Sequence, residues 1–325
     1  MRVAIIGTGL IGQKRAAHLP HSKLVTCCDV VLERAQELAS RYPTATATDD
    51  WLAVLNQPEV EIVIIATPHD MLAMLAQKAA AAGKHVLLEK PGARRAVELD
   101  GVARTSKESG VLVRIGFNHR YHPAFQKARQ IFDSGVLGPP FLVRARYGHG
   151  GRIGYEKEWR AVPAISGGGE AIDQGVHLID LARWFLGDFV TVQGCLRTFF
   201  WNTSAEDNAF LLLETRSGCV ASLHASWTEW KNLFSFELFG RNGKVEISGL
   251  GGSYGVERLI HYQMQPGLGP PDTTIYEYPR ADDSWDREYR EFLEDIRLNR
   301  PPQPGIADAQ AALRIVEQLY QERQP

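Results

Sequence analysis

Four cysteines in 325 residues, Cys27, Cys28, Cys195 and Cys219, show none of the paired spacing a zinc site needs, and no metal is expected. They lie in stretches that read as strands, so buried free thiols are the expected state. Basic charge is not in excess either: 36 Lys and Arg face 38 Asp and Glu, a formal −2. That balance argues against a nucleic-acid partner, whose phosphates require a basic face. No uncharged apolar run approaches the ~20 residues that cross a bilayer, so no membrane partner is expected. Met1 leads directly into Arg2-Val3-Ala4-Ile5-Ile6-Gly7, which reads as strand and turn rather than a cleavable apolar leader. The expected compartment is therefore the cytoplasm. Internal repeats and long linkers are not visible. What remains is an ordinary globular composition, 44% hydrophobic and 23% charged, at a length that suits one large domain or two ordinary ones.

Residues 1–120 alternate short apolar runs with longer helix-like stretches. Residues 3–6, 24–28, 61–66, 85–88 and 111–115 read as strands, and the runs at 3–6 and 62–66 lack polar alternation, as strands covered on both faces should. Helices are expected near 10–19, 32–41, 71–82 and 94–109, with Gly83 and Gly110 placed to end two of them. This alternation implies an α/β domain with a doubly wound parallel sheet over residues 1–120. Beyond Tyr121 the strands lengthen and alternate. Strands are expected at 142–147, 190–200, 209–215, 219–227, 233–239 and 244–247, with hairpin turns at Arg216-Ser217-Gly218 and Arg241-Asn242-Gly243. With helices near 170–186, 285–298 and 307–320, residues 121–325 read as an α+β domain on a large, mostly antiparallel sheet.

Gly7-Thr8-Gly9-Leu10-Ile11-Gly12 fits G-x-G-x-x-G between a strand and a helix, the context that gives this pattern weight. Gly7 permits the tight turn, Gly9 lets backbone approach a pyrophosphate, and Gly12 lets the helix pack closely on the strand. The helix N-terminus then offers free N–H groups to phosphate. Asp29 ends the second strand, placed to accept hydrogen bonds from both ribose hydroxyls and to repel a 2′-phosphate, so NAD is favoured. Arg34, shortly after it, keeps NADP open. A glycine-rich turn with a capping Asp and no nucleotide is the bland alternative.

Two further segments carry chemistry. Lys90 follows the strand at 85–88, where a lysine can hydrogen-bond a substrate hydroxyl and lower its pKa. Pro91 sets the exit angle and is a candidate cis proline. Lys-Pro-Gly is equally an ordinary solvated turn. In the segment 166–181, Asp173, His177 and Asp180 recur at i, i+4 and i+7, a polar stripe on a mostly apolar helix. Asp173 is placed to orient His177 as a general base. Gly175, inside that helix, implies a close approach, with a ligand as one candidate. A buried Asp–His pair holding helix to sheet is the alternative.

Taken in order, Gly7–Gly12, Ala66-Thr67-Pro68, the segment 82–91, Asn118-His119-Arg120 and the segment 167–180 resemble the Gfo/Idh/MocA oxidoreductases over nearly the whole chain. The resemblance implies a Rossmann domain, a C-terminal α+β domain with an open sheet, and homodimers or homotetramers formed through that sheet. It places the catalytic lysine on Lys90 and the catalytic Asp and His on Asp173 and His177. Ala66, Thr67, Pro68, Glu89, Lys90 and Asn118 fall on cofactor-lining positions, and Arg160 falls in a Trp-Arg pair near cofactor or substrate. Leu72 stands where the family often has His. Arg120 and Tyr155 join Lys90, Asp173 and His177 as candidate substrate contacts. The expected activity is hydride transfer between NAD and a hydroxyl carbon of a sugar, cyclitol or sugar derivative. An NAD-dependent glycosidase, or a regulator that senses nucleotide or sugar without catalysis, remains as an alternative.

Overall fold

The computed structural model describes residues 1–322, so the last three residues of the expected second domain lie outside the described residues. The chain divides into two compact units, Met1–Phe117 with Trp285–Ala311, and Asn118–Ser284 with the chain from Ala312 onward. A single boundary at residue 120 does not contain the return of 285–311. Its cause is apolar: Tyr289 and Phe292 join the buried cluster of Val3, Ile5, Ile62, Ile64 and Leu87.

In the first unit β1 (Arg2–Ile6), α1 (Leu10–Ala17), β2 (Lys23–Cys28), α2 (Leu32–Ala39), β3 (Thr46–Thr48), α3 (Trp51–Leu55), β4 (Ile62–Ile65), α4 (His69–Ala81), β5 (His85–Glu89), α5 (Glu98–Ser109) and β6 (Val113–Gly116) follow in order. Six strands form one parallel sheet, ordered β3-β2-β1-β4-β5-β6. All four residues of β4 are buried, which explains its uninterrupted apolar run. Gly83 and Gly110 both take the left-handed backbone expected after α4 and α5. The sequence reading lacked β3 and α3. The strand is three residues of half-exposed Thr-Ala-Thr, and the helix is a single turn started by the Asp50 carboxylate accepting from the Leu52 and Ala53 N–H groups.

The second unit contains α6 (Pro123–Asp133), β7 (Pro140–Gly148), α7 (Pro163–Ser166), α8 (Val176–Leu186), β8 (Phe189–Arg197), β9 (Asn208–Thr215), β10 (Val220–Ser226), β11 (Leu233–Gly240), β12 (Gly243–Ser248), β13 (Glu257–Gln263) and β14 (Asp272–Tyr278). Two helices close the chain, α9 (Ser284–Leu298) and α10 (Ile306–Glu322). The eight strands lie in the order β14-β13-β12-β11-β7-β10-β9-β8, antiparallel except for the parallel pair β7–β10. Helix α6 packs on β12–β14, and α8 packs on β7 and β10. The other face carries exposed Arg144, Arg146, Leu212 and Ser222, so one side of the sheet is core and the other solvated. Strand β14 escaped the sequence reading because none of its residues is buried, and β13 because it buries only Glu257 and Leu259, too short an alternation to read.

All four cysteines are free, but only Cys27 and Cys28 are buried; Cys195 and Cys219 are half-buried, which corrects the expectation of four buried thiols. Burial pushes the Cys27 and Cys28 thiols up to about 12, so both stay protonated at neutral pH. Among the described residues no helix is long and apolar enough to cross a membrane.

Candidate active site

The parallel register brings four strand ends together, pairing Ile6 with Cys28 and with Ile65, and Ile65 with Leu88. The residues after those ends therefore share one edge: Gly7, Asp29, Ala66-Thr67-Pro68 and Lys90. The Gly7 N–H donates to Cys28 O and the Ala66 N–H to Ile6 O, each at 2.8 Å. Gly7 takes φ +93°, and a Cβ there would stand 2.6 Å from the Ala66 carbonyl. A Cβ on Gly12 would overlap the Gly7 carbonyl, whereas one on Gly9 would meet nothing. Gly9 thus keeps space open before the N-terminus of α1, and no side chain caps that helix. Its leading N–H groups, from Leu10 and Ile11 on, are available to an anion. Thr67 folds its hydroxyl onto the Pro68 carbonyl at 3.2 Å.

Asp29 Oδ2 accepts the Thr8 N–H at 2.8 Å and its hydroxyl at 3.2 Å, while Oδ1 accepts the Val31 N–H at 3.0 Å. A carboxylate has about four acceptor positions, so roughly one stays open to a further donor. The expectation that Asp29 serves both ribose hydroxyls narrows accordingly. An open cradle at Gly9, an uncapped helix N-terminus and a carboxylate at the second strand end fit a dinucleotide. Arg34 lies exposed on α2.

Glu89, expected to line a cofactor, is placed otherwise. Its Oε1 accepts the Arg15 Nε–H at 2.6 Å, and the Arg15 Nη1 reaches Glu288 Oε2 at 2.5 Å. All three groups are buried, and the guanidinium stands 4.4 Å from the centre of the Trp285 ring. One buried cation faces two carboxylates. Burial pushes the Glu288 carboxyl up against the pull of Arg15, and the neighbouring Glu89 adds to the rise. Lys90 follows directly, half-buried, with a cis peptide bond to Pro91.

In the second unit the glycine run is shaped by protein rather than by ligand. A Cβ on Gly169 would overlap the Glu206 carbonyl, and one on Gly168 the Tyr320 hydroxyl. Glu206 Oε1 accepts the Gly169 and Ala171 N–H groups at 3.1 Å each and the Tyr320 hydroxyl at 2.6 Å. Residues Ala171–Gly175 then form a π-helical turn running into α8. The approach at Gly175 comes from the Glu170 carbonyl and the Ala225 Cβ, not from a ligand-sized opening.

Asp173 Oδ2 pairs with the Arg160 Nε at 3.2 Å, so the arginine expected beside the cofactor sits on the proposed catalytic carboxylate. The Arg160 guanidinium also lies 4.5 Å from the centre of the Trp159 ring. His177 is buried, its imidazole stacked on that of His119 with centroids 3.9 Å apart. Tyr147 meets both rings, at 6.1 Å from His177 and 5.2 Å from His119. Burial, then the Tyr254 phenol beside it, raises the Tyr147 phenol well above its ordinary value; burial pushes Tyr254 up to about 12. Both therefore stay neutral donors.

Three other expected contacts have protein partners of their own. Arg120 donates from Nε and Nη2 to Asp180 at 2.8 and 2.6 Å, closing the stripe's third member into a buried fork. Tyr155 is buried with Ala205 and Trp227. Asn118 donates to the Ser284 hydroxyl at 2.9 Å. The sequence reading gave His119, Tyr147, Glu206 and Arg15 no role. His119 stood inside a quoted motif, and the other three carry no local signal.

Comparison with known proteins agrees with this construction. Residues 1–117 match the family described as an oxidoreductase family with an NAD-binding Rossmann fold, and residues 125–246 match the GFO/IDH/MocA C-terminal domain. The chain is 28% identical to scyllo-inositol 2-dehydrogenase (NAD(+)) of Bacillus subtilis, over 97% of this chain and 92% of that one. It is 29% identical to D-glucoside 3-dehydrogenase of Escherichia coli, over 70% of each. Among solved structures, GenD2 from gentamicin A biosynthesis in complex with NAD superposes with a TM-score of 0.84 at 26% identity, covering 99% of this chain and 93% of that one.

The Arg15 cluster has a pH signature. A carboxyl raised in the fold favours folding below its unfolded value of about 4.3, and that contribution fades as pH rises through the folded value. Glu288→Gln, neutral at every pH, should lack this slope and lose less than about 1.5 kcal/mol at neutral pH, read by thermal melts across pH. Glu288→Ala leaves Arg15 short of a partner and should cost about 3–5 kcal/mol. A Gln variant as damaged as the Ala variant would contradict the assignment.

Proposed function

The chain belongs to the Gfo/Idh/MocA oxidoreductases, and from that premise we propose that it is an NAD-dependent dehydrogenase acting on a hydroxyl carbon of a sugar, cyclitol or sugar derivative. The observation that carries the reading is Lys90, at the end of β5 on the same sheet edge that holds the Gly7 turn and Thr67. NAD, when bound, supplies the hydride acceptor. His177 takes the hydroxyl proton as the carbinol carbon becomes a carbonyl. Lys90 donates a hydrogen bond to the reacting oxygen and stabilises its developing negative charge. Asp173, fixed by Arg160, adds the negative charge that favours a protonated His177. Neutral Tyr147 and Tyr254 supply hydroxyl groups for a polyol.

The reading extends to setting and assembly. An NAD requirement and four free thiols support a cytoplasmic enzyme. We assign the solvated face of the eight-stranded sheet to a homodimer or homotetramer. Phe141, Phe210, Leu212 and Ile275 are exposed on this sheet, around ion pairs from Glu237 to Arg144 and Lys244 at 2.6 and 2.7 Å.

Screening NAD reduction against inositols, glucosides and sugar derivatives tests the activity, and product analysis separates dehydrogenation from a glycosidase that consumes no net NAD. Lys90→Met and His177→Ala should each lower kcat by about 10²–10⁴-fold and retain NAD binding by calorimetry; turnover equal to wild type would reject the roles. Asp29→Asn, which removes a charge that repels the 2′-phosphate, should narrow the preference for NAD over NADP by about tenfold in kcat/KM. Light scattering should show a dimer or tetramer that Leu212→Glu dissociates; a wild-type monomer would remove the assembly assignment.

A further inference from the structure

Next to the Asp173–Arg160 pair begins a ladder of aromatic rings that ends in open solvent. Asp173 and Arg160 both act electrostatically on the buried Tyr155 phenol. From Tyr155 the rings continue to Trp201 at 5.7 Å, to Phe200 at 5.2 Å and to Trp230 at 4.7 Å between centroids. The inner rungs are core: Tyr155 and Trp227 are buried and pack edge to face at 4.8 Å. The outer ones are not. Phe199, Phe200 and Trp230 are 66%, 56% and 68% exposed.

The exposure is built into the backbone. The buried Asp207 carboxylate accepts the N–H groups of Phe199, Phe200 and Trp201 at 2.9, 2.8 and 3.0 Å, and the Asn208 amide at 3.0 Å. Burial pushes this carboxyl up, yet its donors hold it below the ordinary range. The Trp201 indole N–H is tied to the Trp227 carbonyl at 3.1 Å, and the Thr203 hydroxyl to the Ala161 carbonyl at 2.9 Å. Trp230 is held at φ +54°, in a region that non-glycine residues rarely adopt. Its ring meets that of Phe200 edge to face at 86°, so the two form an exposed corner. A loop free to relax would turn such side chains inward. This one is pinned outward, the pattern of a binding surface.

We propose that Phe200 and Trp230, flanked by Phe199, form an outer subsite that holds the second ring of a glycoside while its sugar hydroxyl is oxidised at the inner site. The ligand chemistry follows from the rings: aromatic faces pack on the C–H face of a pyranose or on an aryl aglycone, as the second ring of a glycoside offers. The inference rests on the dehydrogenase reading and narrows its substrate class to two-ring glycosides.

The test compares an aryl glucoside and cellobiose with methyl glucoside, as kcat/KM with NAD, in the wild type, Phe200→Ser and Trp230→Ala. The ratio of two-ring to methyl substrate should fall about three- to tenfold in each variant. Because both side chains are mostly exposed, melting temperatures should stay near wild type. Equal losses on all substrates, no loss at all, or dissociation of an oligomer by these variants would overturn the subsite, the last assigning the patch to a second copy. Should the wild type oxidise no sugar, the dehydrogenase reading fails by itself. Calorimetric binding of the aryl glucoside then reads the subsite independently, and undiminished affinity in both variants overturns it.

Discussion

A guanidinium taken out of water is tolerable only where carboxylates go with it, and that constraint organises this molecule. Arg15 lies between Glu89 and Glu288, Arg114 pairs with Asp295, Arg120 with Asp180, and Arg160 with Asp173. All but the Arg114–Asp295 pair pin a residue next to the proposed chemistry. Glu89 immediately precedes Lys90, Asp180 lies three positions beyond His177, and Asp173 is itself a proposed catalytic group. Such pairs contribute little net stability against an apolar replacement, because desolvation offsets the attraction. Their geometric demand is strict, and a half-broken pair is costly. They suit a protein that must hold a few polar side chains at fixed positions. Glu206 does the same with neutral donors, gathering two backbone N–H groups and the Tyr320 hydroxyl so that the glycine run enters α8 at one angle.

What the sequence made legible, and what it hid, follows from the range of each interaction. The parallel sheet was readable because β1 and β4 are covered on both faces and carry unbroken apolar runs. The phosphate turn was readable because three glycine roles occupy six consecutive residues, and backbone crowding gives Gly7 and Gly12 their steric reason. Membership of α9 in the first unit was not readable. An amphipathic helix announces an apolar stripe without naming the surface that covers it. Arg120 looked free to bind substrate because its partner is 60 residues away. The stripe rule grouped Asp180 with Asp173 and His177, but a shared helix face says nothing about which partner each carboxylate finds. The π-helical turn before α8 has no compositional mark, and Tyr155 could have been core or contact until its burial was known.

Substrate recognition, on this account, is divided between two kinds of surface. The inner group is polar and fixed: His177 stacked on His119, Asp173 on Arg160, and two phenols kept neutral by burial. The outer group is apolar and displayed by a loop that one carboxylate holds in place. Polar contacts select hydroxyl geometry, since an unpaired buried donor is expensive. Aromatic faces add affinity for a second ring with little demand on its substituents. The kinship with an inositol dehydrogenase and a glucoside dehydrogenase is consistent with one reaction centre serving differently shaped polyols.

The central claim is direct hydride transfer from a carbinol carbon to NAD. The most direct measurement uses a substrate deuterated at the reacting carbon and follows the label by mass spectrometry. The account predicts one deuterium in the reduced cofactor for each carbonyl formed, with a slowed chemical step. Deuterium released to water, or retained in the product while the cofactor's redox state stays unchanged, would contradict it.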